Sequence, residues 1–364
     1  MKIAILSAHK SYDYRIHRHI RMLLSLGHEV DYYNISNESA PDPGISDSRF
    51  NYIHLYLRKK FSPQTLKVAY KLIKMLMKTH YDYYFVQDEE LLALFPLVRT
   101  IEKGKIILDV HEMLRGDFLK RILIRTLLSF PKKHRACLTA LHSNVEYLKR
   151  YFDDVYVLDN LPLYTDFDVC AEMKQKEKLN VIYVGMITEE NRQMLKTLDV
   201  MHKLIDTGRF TATLIGPIAN RTRRDEIERR IKHLQSEHPQ DFHYLGPLGR
   251  KEVVAYLCHA DIMIVLLSFP SECKVASNKF LEAIAAGLVL VTDHVNFSPA
   301  VPEHLIVKVD KNDTPDWIAD RIVSLYDCQE KILTAKKEIR KWFKNSRLFW
   351  ESYEYVYKQL FRTN

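Results

Sequence analysis

The sequence predicts an α/β protein of two Rossmann-like halves, each a parallel sheet flanked by helices, and three observations carry that prediction. The chain has 364 residues, more than a single hydrophobic core normally serves. Short apolar runs alternate with longer amphipathic stretches, the pattern of parallel strands joined by crossover helices. This β/α rhythm is written twice, with a stretch of mixed charge between the two series.

In the first series, strands are expected at Lys2–Leu6, His28–Tyr33, Tyr83–Gln87, Lys105–Asp109 and Cys137–Ala140. Helical periodicity runs through Arg15–Ser25, Pro63–Lys78, Glu90–Glu102 and Phe118–Phe130. The second series places strands at Val181–Val184, Thr211–Ile215, Phe242–Leu245, Ile262–Leu266 and Val289–Thr292. Leu163 to Leu179 lacks an apolar period and is the candidate hinge. The expected organisation is a first domain over 1–165, a linker over 166–179, a second domain over 180–340 and a closing helix over 341–364 that crosses back to the first domain.

Composition narrows the class. Apolar residues make up 47% and charged residues 27%, which is globular. Five cysteines without short spacing point to neither a disulfide framework nor a zinc site, and fit a reducing cytoplasm. The opening MKIAILSA breaks at His9-Lys10 and reads as a buried strand rather than a signal peptide. No apolar run reaches the length of a membrane span, about 18 residues. A net charge of +8 favours an anionic partner: nucleotide phosphates, nucleic acid or an acidic lipid surface.

Ligands of open α/β sheets bind beyond the carboxyl ends of the strands, so the loops that follow strands carry the chemistry. After the first strand of the second series come Gly185 and, five residues later, Glu190-Asn191-Arg192, then Lys196 on the opening of a helix. Two cations near a helix N-terminus fit a diphosphate, and they equally fit a solvated helix face. Farther on, Ser277-Asn278-Lys279 opens a helix that carries Glu282 and stops at Gly287. A carboxylate there can accept from two ribose hydroxyls, although a lone Glu on a helix is more often solvated. Gly216-Pro217 and Gly246-Pro247 stand at two further strand ends.

In this order the residues resemble the retaining GT-B glycosyltransferases of the large family four, common in the synthesis of bacterial surface polysaccharides. The second half is similar to that family's YVG strand with a following Arg and Lys, its GP and LG strand ends, its AD before a buried strand, and its NKxxEAxAxG helix. The first half is similar to a subgroup with a DxRV helix start, here Asp13-Tyr14-Arg15-Ile16, and a GHEV, here Gly27-His28-Glu29-Val30. Asp109-Val110-His111-Glu112 looks like the DxHE that ends a middle strand, and Leu158-Asp159-Asn160-Leu161-Pro162 like the LPNxP that closes the first domain.

The resemblance implies a GT-B fold, two Rossmann-like domains facing a central cleft, with C-terminal helices packing back toward the first. It implies a nucleotide-sugar donor, UDP- or GDP-linked, a glycan or lipid-linked acceptor, retention at the anomeric carbon, and no metal or other cofactor. Arg192 and Lys196 would hold the diphosphate and Glu282 the ribose, with Gly185, Gly216, Ser277, Asn278 and Lys279 lining the donor site. His111, with Glu112 beside it, is the candidate polar group at the reaction centre, against a structural role at a strand end. Asp13 and Arg15 are expected on the acceptor side. The chain departs from many relatives in having Lys274 where they carry the first of two glutamates eight positions apart, with Glu272 the nearest acid.

Lys67, Lys71, Lys74 and Lys78, with Arg58-Lys59-Lys60 before them, interleave with Leu66, Leu72, Ile73, Leu76 and Met77. Such a helix can lie on the anionic inner face of a membrane, and it also fits an ordinary helix with one solvated face. Two other functions fit parts of the pattern: a nucleotide-sugar epimerase on the same fold, and a basic nucleic-acid-binding protein. The second is disfavoured because the positive residues neither alternate with aromatics nor fall in a known binding motif.

Overall fold

The computed structural model describes residues 1–9, 13–38, 43–59, 62–87, 91, 105–110, 135–168, 170, 176–268, 278–294, 301–326 and 329–361, excluding the side chains of 105 and 135. The chain divides into two compact units, Met1–Asn160 with Tyr353–Asn364, and Leu161–Ser352.

The first unit holds β1 (Lys2–Ser7), α1 (Tyr14–Ser25), β2 (Glu29–Ser36), β3 (Phe50–Tyr56), α2 (Pro63–Leu76), β4 (Tyr83–Val86), β5 (Lys105–Val110), β6 (Arg135–Thr139), α3 (Val145–Leu148) and β7 (Asp154–Val157). Its seven strands lie in the order β3-β2-β1-β4-β5-β6-β7, and every pair is parallel. β1 is buried from Ile3 onward, as a strand covered on both faces must be. α1 starts where the Asp13 carboxylate accepts from the amides of Arg15 (2.9 Å) and Ile16 (3.3 Å), and it stops before Gly27 at φ +82°.

The second unit holds α4 (Tyr164–Phe167), β8 (Leu179–Val184), α5 (Met194–Asp206), β9 (Phe210–Ile215), α6 (Arg224–Glu237), β10 (Phe242–Gly246), α7 (Arg250–His259), β11 (Ile262–Val265), α8 (Asn278–Ala286), β12 (Val289–Thr292), β13 (Ile306–Lys308), α9 (Pro315–Leu325) and α10 (Gln329–Ser346). Its parallel sheet runs β10-β9-β8-β11-β12-β13. Both sheets thus repeat one winding, with the direction of strand order reversing beside the first strand of each unit, at β1/β4 and at β8/β11. Such reversals open the crevices in which α/β sheets hold ligands.

α11 (Glu354–Leu360) belongs to the first unit, where Tyr357 is fully buried and Phe361 packs edge-on against Tyr83 with ring centroids 4.9 Å apart. No helix among the described residues is long and apolar enough to cross a membrane.

The strands expected from sequence are present, and three more accompany them: β3, β7 and β13. All three are edge strands, and an edge strand needs no continuous apolar run. The expected helices over Glu90–Glu102 and Phe118–Phe130 lie outside the described residues. The expectation of no disulfide is corrected: Cys170 and Cys258 are bonded across 88 residues, tying the segment before β8 to α7. A link of that span leaves no short spacing to read. Cys137 is a free thiol buried in the first core.

Candidate functional site

The carboxyl ends of β8 and β9 are built without side chains. Gly185 and Gly216 both adopt φ +139°, open to glycine and rarely to other residues. The Gly185 amide donates to the Ile215 carbonyl (2.8 Å) and the Gly216 amide to the Gly246 carbonyl (2.8 Å). A Cβ on Gly216 would lie 1.8 Å from the Gly185 carbonyl oxygen, so the two loops touch backbone to backbone. The amides of Ile187 and Ala219 continue the zipper, donating to the carbonyls of Pro217 and Ile187 at 3.0 Å each.

Over this floor stands the first turn of α8. The Lys279 ammonium lies 5.3 Å from the centroid of the Tyr183 ring, and a Cβ on Gly185 would fall 2.0 Å from its Nζ. Burial, with the nearby Arg192 charge adding to it and Glu282 opposing it, pushes Lys279 down to about 7. Neither Lys279 nor Arg192 has an ion pair or side-chain hydrogen bond among the described residues. Two neighbouring cations, half-buried and without an ion-paired carboxylate among the described residues, favour a bound negative charge. The Asn278 side-chain carbonyl and the Thr188 hydroxyl are also buried without hydrogen-bond partners among the described residues.

Glu282 sits one turn farther along α8 and is buried, at 8% exposure. Its Oε1 accepts from Nη1 of Arg250 (2.6 Å), and Nε of Arg250 reaches Asp166 (3.3 Å). Arg250, at the start of α7, is the partner that sequence reasoning missed; its signal was a lone Arg after the Gly246-Pro247 strand end. The pairing aims Glu282 and leaves Oε2 without a hydrogen bond among the described residues.

Lys196 is turned elsewhere. Its ammonium donates to the Lys311 carbonyl (2.8 Å), and burial lowers its pKa against the pull of Asp293 and Asp313. Among the sequence candidates the structure therefore brings together Gly185, Gly216, Arg192, Asn278, Lys279 and Glu282, with Lys279 standing beside Arg192 where Lys196 was expected. Asp293, at the end of β12, accepts from the Leu267 amide (2.7 Å) and from the side chain of Gln193, the left-handed residue that starts α5. Ser277, Lys274 and Glu272 lie outside the described residues, as do His111 and Glu112.

In the first unit, Arg15 is buried and grips Asp109 with both arms of its guanidinium, Nε to Oδ2 and Nη2 to Oδ1, each at 2.8 Å. Its Nη1 donates to the Leu158 carbonyl (2.9 Å) and to Oδ1 of Asn160 (3.0 Å). His19 lies 2.8 Å from Asp109 and 2.6 Å from the Tyr357 hydroxyl. Burial works to lower the Arg15 pKa, and Asp109 more than offsets it. Asp13 caps α1. Both residues expected on the acceptor side thus have structural work: one starts a helix and the other ties α1 to β5 and the end of β7.

The Asp261 that precedes β11 is likewise structural. Burial would raise its carboxyl, but Lys336 at 2.8 Å and Lys176 at 3.0 Å hold it below the usual range.

Residues 178–328 match the family model of the glycosyl transferases group 1. No curated protein sequence matches the chain. Among solved structures, the chain is similar to sucrose-phosphate synthase from Thermosynechococcus elongatus at 15% identity and a TM-score of 0.64, covering 100% of this chain and 98% of that one. An E. coli structure described as trehalose-6-phosphate bound with UDP-2-fluoro glucose matches at 11% identity and 0.66, covering 100% of both chains. A glycosyltransferase involved in lipopolysaccharide biosynthesis matches at 11% identity and 0.66, covering 99% and 100%. The fold is GT-B.

Proposed function

We propose that a chain whose second unit carries the glycosyl transferases group 1 pattern on a GT-B fold moves a sugar from a nucleoside-diphosphate donor to an acceptor hydroxyl, with retention at the anomeric carbon. The observation that carries this reading is Lys279, laid over the Gly185 backbone with the Arg192 charge close enough to act on it and with no ion pair for either among the described residues. One neighbour of the same fold is described as bound with UDP-2-fluoro glucose.

In the reaction, the bond from the anomeric carbon to the diphosphate oxygen breaks and its electron pair leaves with the nucleotide. The acceptor oxygen forms the new bond, and its proton passes to the departing diphosphate or to a base, for which His111 and Glu112 are the sequence candidates. Arg192 and Lys279 stabilise the charge that grows on the leaving diphosphate, and they are already in place before it forms. The α8 N-terminus adds its free amides and dipole. Glu282, aimed by Arg250, offers Oε2 to the ribose hydroxyls. Gly185 leaves room for the Lys279 ammonium that would meet the diphosphate, and Gly216 lets the two loops pack backbone to backbone beneath it.

The acceptor is proposed to be a glycan or a lipid-linked glycan at an anionic membrane face. On α2, Leu66, Tyr70 and Met77 are exposed at 76%, 68% and 54%, beside the exposed Lys67, Lys71, Lys74 and Lys78. Val68, Leu72 and Leu76 already fill the core side of that helix, so the outward apolar residues are additional to it. Such a face suits an acidic bilayer surface.

A thermal-shift screen of UDP, GDP and ADP tests the donor site. One nucleoside diphosphate raises Tm in proportion to its saturation, and the shift is lost in Arg192→Ala. No shift with any of the three, or a shift that survives the substitution, would count against the reading.

A further inference from the structure

The second unit carries a cluster of imidazoles and carboxylates that the donor site does not use. His202 and Asp206 lie one turn apart near the end of α5, while His238 follows α6 directly, next to Glu237. One ligand atom from each of His202, Asp206 and His238 falls within 4.8 Å of the other two. Nε2 of His238 is 3.3 Å from Oδ1 of Asp206, and Nε2 of His202 is 3.7 Å from the same oxygen. Oε2 of Glu237 is 3.1 Å from Nε2 of His202 and 3.9 Å from Nε2 of His238.

These separations are close to those of a bound ion. Metal bonds of about 2.0–2.1 Å set tetrahedral ligands about 3.3 Å apart. Nε2 of His238 is shielded from solvent yet makes no hydrogen bond among the described residues, so in the Nδ1-protonated tautomer its lone pair is available to a metal ion. His202 and His238 are largely buried, with side-chain exposures of 19% and 18%, so little rotamer freedom remains to be lost on binding. Asp206 and Glu237 are half-open to solvent, at 52% and 42%, which gives an ion a path in.

We propose that His202, Asp206 and His238 bind one borderline divalent transition-metal ion of the zinc, cobalt or nickel class, beside Glu237, whose Oε2 also faces Nε2 of His233 at 3.1 Å. Two imidazole nitrogens with one carboxylate suit that class and disfavour magnesium and calcium, which take oxygen ligands. The ion staples the carboxyl end of α5 to that of α6. Lys196 and Asp206 are separated by about 15 Å along the helix axis, so the site lies at the sheet end away from the Gly185 loop and stabilises rather than catalyses.

The test uses full-length, tag-free protein stripped with a chelator and titrated with zinc chloride by calorimetry, in parallel with thermal melts and with visible absorption after cobalt addition. The expected result is one saturable zinc equivalent, a Tm raised by several degrees, and the absorption of a low-coordinate cobalt site. His238→Gln and the exposed Asp206→Asn each weaken zinc at least tenfold, with metal-free melting within a few degrees of the parent. Absence of saturable binding, zinc affinity unchanged in both variants, or equal competition by magnesium would overturn the proposal. Should His238→Gln fold poorly, Asp206→Asn alone decides it.

Discussion

The ammonium of Lys279 occupies the space above Gly185 in which a side chain would begin, so the glycine and the lysine form a single feature: a backbone floor with one cation laid on it.

Gly185→Ala should therefore act through Lys279. The new methyl meets the far end of a flexible side chain, which can move, and the strained φ costs about 1–3 kcal/mol. The variant folds with a modest loss in Tm, and calorimetry shows weaker nucleoside-diphosphate binding because the ammonium has been displaced. Gly216→Ala is harsher, since its methyl meets the Gly185 backbone, and Tm falls further. Parental affinity in Gly185→Ala would separate Lys279 from the phosphates.

Glu282 can be tested against the ribose hydroxyls it is proposed to hold. The parent protein should bind a 2′,3′-dideoxy nucleoside diphosphate less tightly than the ribose form. Glu282→Ala should weaken the ribose form and remove the difference, because the acceptor of both hydroxyls is gone. Discrimination that persists in Glu282→Ala would sink the ribose assignment. Arg250→Met, which leaves a buried carboxylate without its cation, should lower both Tm and nucleotide affinity.

The repeated winding of the two sheets was legible because buried strands write continuous apolar runs, as Ile3–Leu6 and Val181–Val184 do. The glycine loops were legible too, since Gly185 and Gly216 follow such runs directly, and Asn278-Lys279 stood out by opening the apolar helix α8. What escaped depends on partners distant in sequence. Lys196 has the charge and spacing of a phosphate ligand, but its reach to the Lys311 carbonyl spans 115 residues. Arg250 gained meaning only beside Glu282. Arg15 and Asp109 were read in two separate motifs, and only folding makes them one ion pair, with His19 and Tyr357 completing it.

That ion pair predicts a stability effect. Asp109→Asn leaves Arg15 buried without its counter-charge and should cost about 3–5 kcal/mol in urea unfolding, the scale for breaking a buried pair from one side. Arg15→Met is expected to lower stability while the folded fraction keeps its nucleotide affinity. An Asp109→Asn protein as stable as the parent would mean that the network bears little of the first unit's stability.

His111 follows β5 directly, and its role is best tested by three readings on one variant. If it serves the transferred sugar or the acceptor hydroxyl, His111→Ala lowers turnover by on the order of a hundredfold. Nucleotide affinity and Tm then stay near parental values. A lower Tm with full activity in the folded fraction would mark it as structural.

Lys279 itself gives the closing test. Burial and Arg192 hold its pKa near 7 in the free protein, and a bound diphosphate favours the charged form and raises it. Nucleotide affinity is then full below about pH 7 and falls as the pH rises through that value, by up to about tenfold per unit. In the ligand-free protein the same group works the other way: the unfolded chain keeps this proton to higher pH, so the group's contribution to stability grows between about pH 7 and 10.4. Lys279→Met should therefore melt no lower than the parent near pH 7. The measurement is nucleoside-diphosphate affinity by calorimetry from pH 6 to 9, on the parent and on Lys279→Met. The predicted result is affinity at least tenfold weaker in the variant at pH 6.5, with the parent's decline above pH 7 flattened; equal affinities with the same pH profile would contradict a diphosphate site built on Arg192 and Lys279.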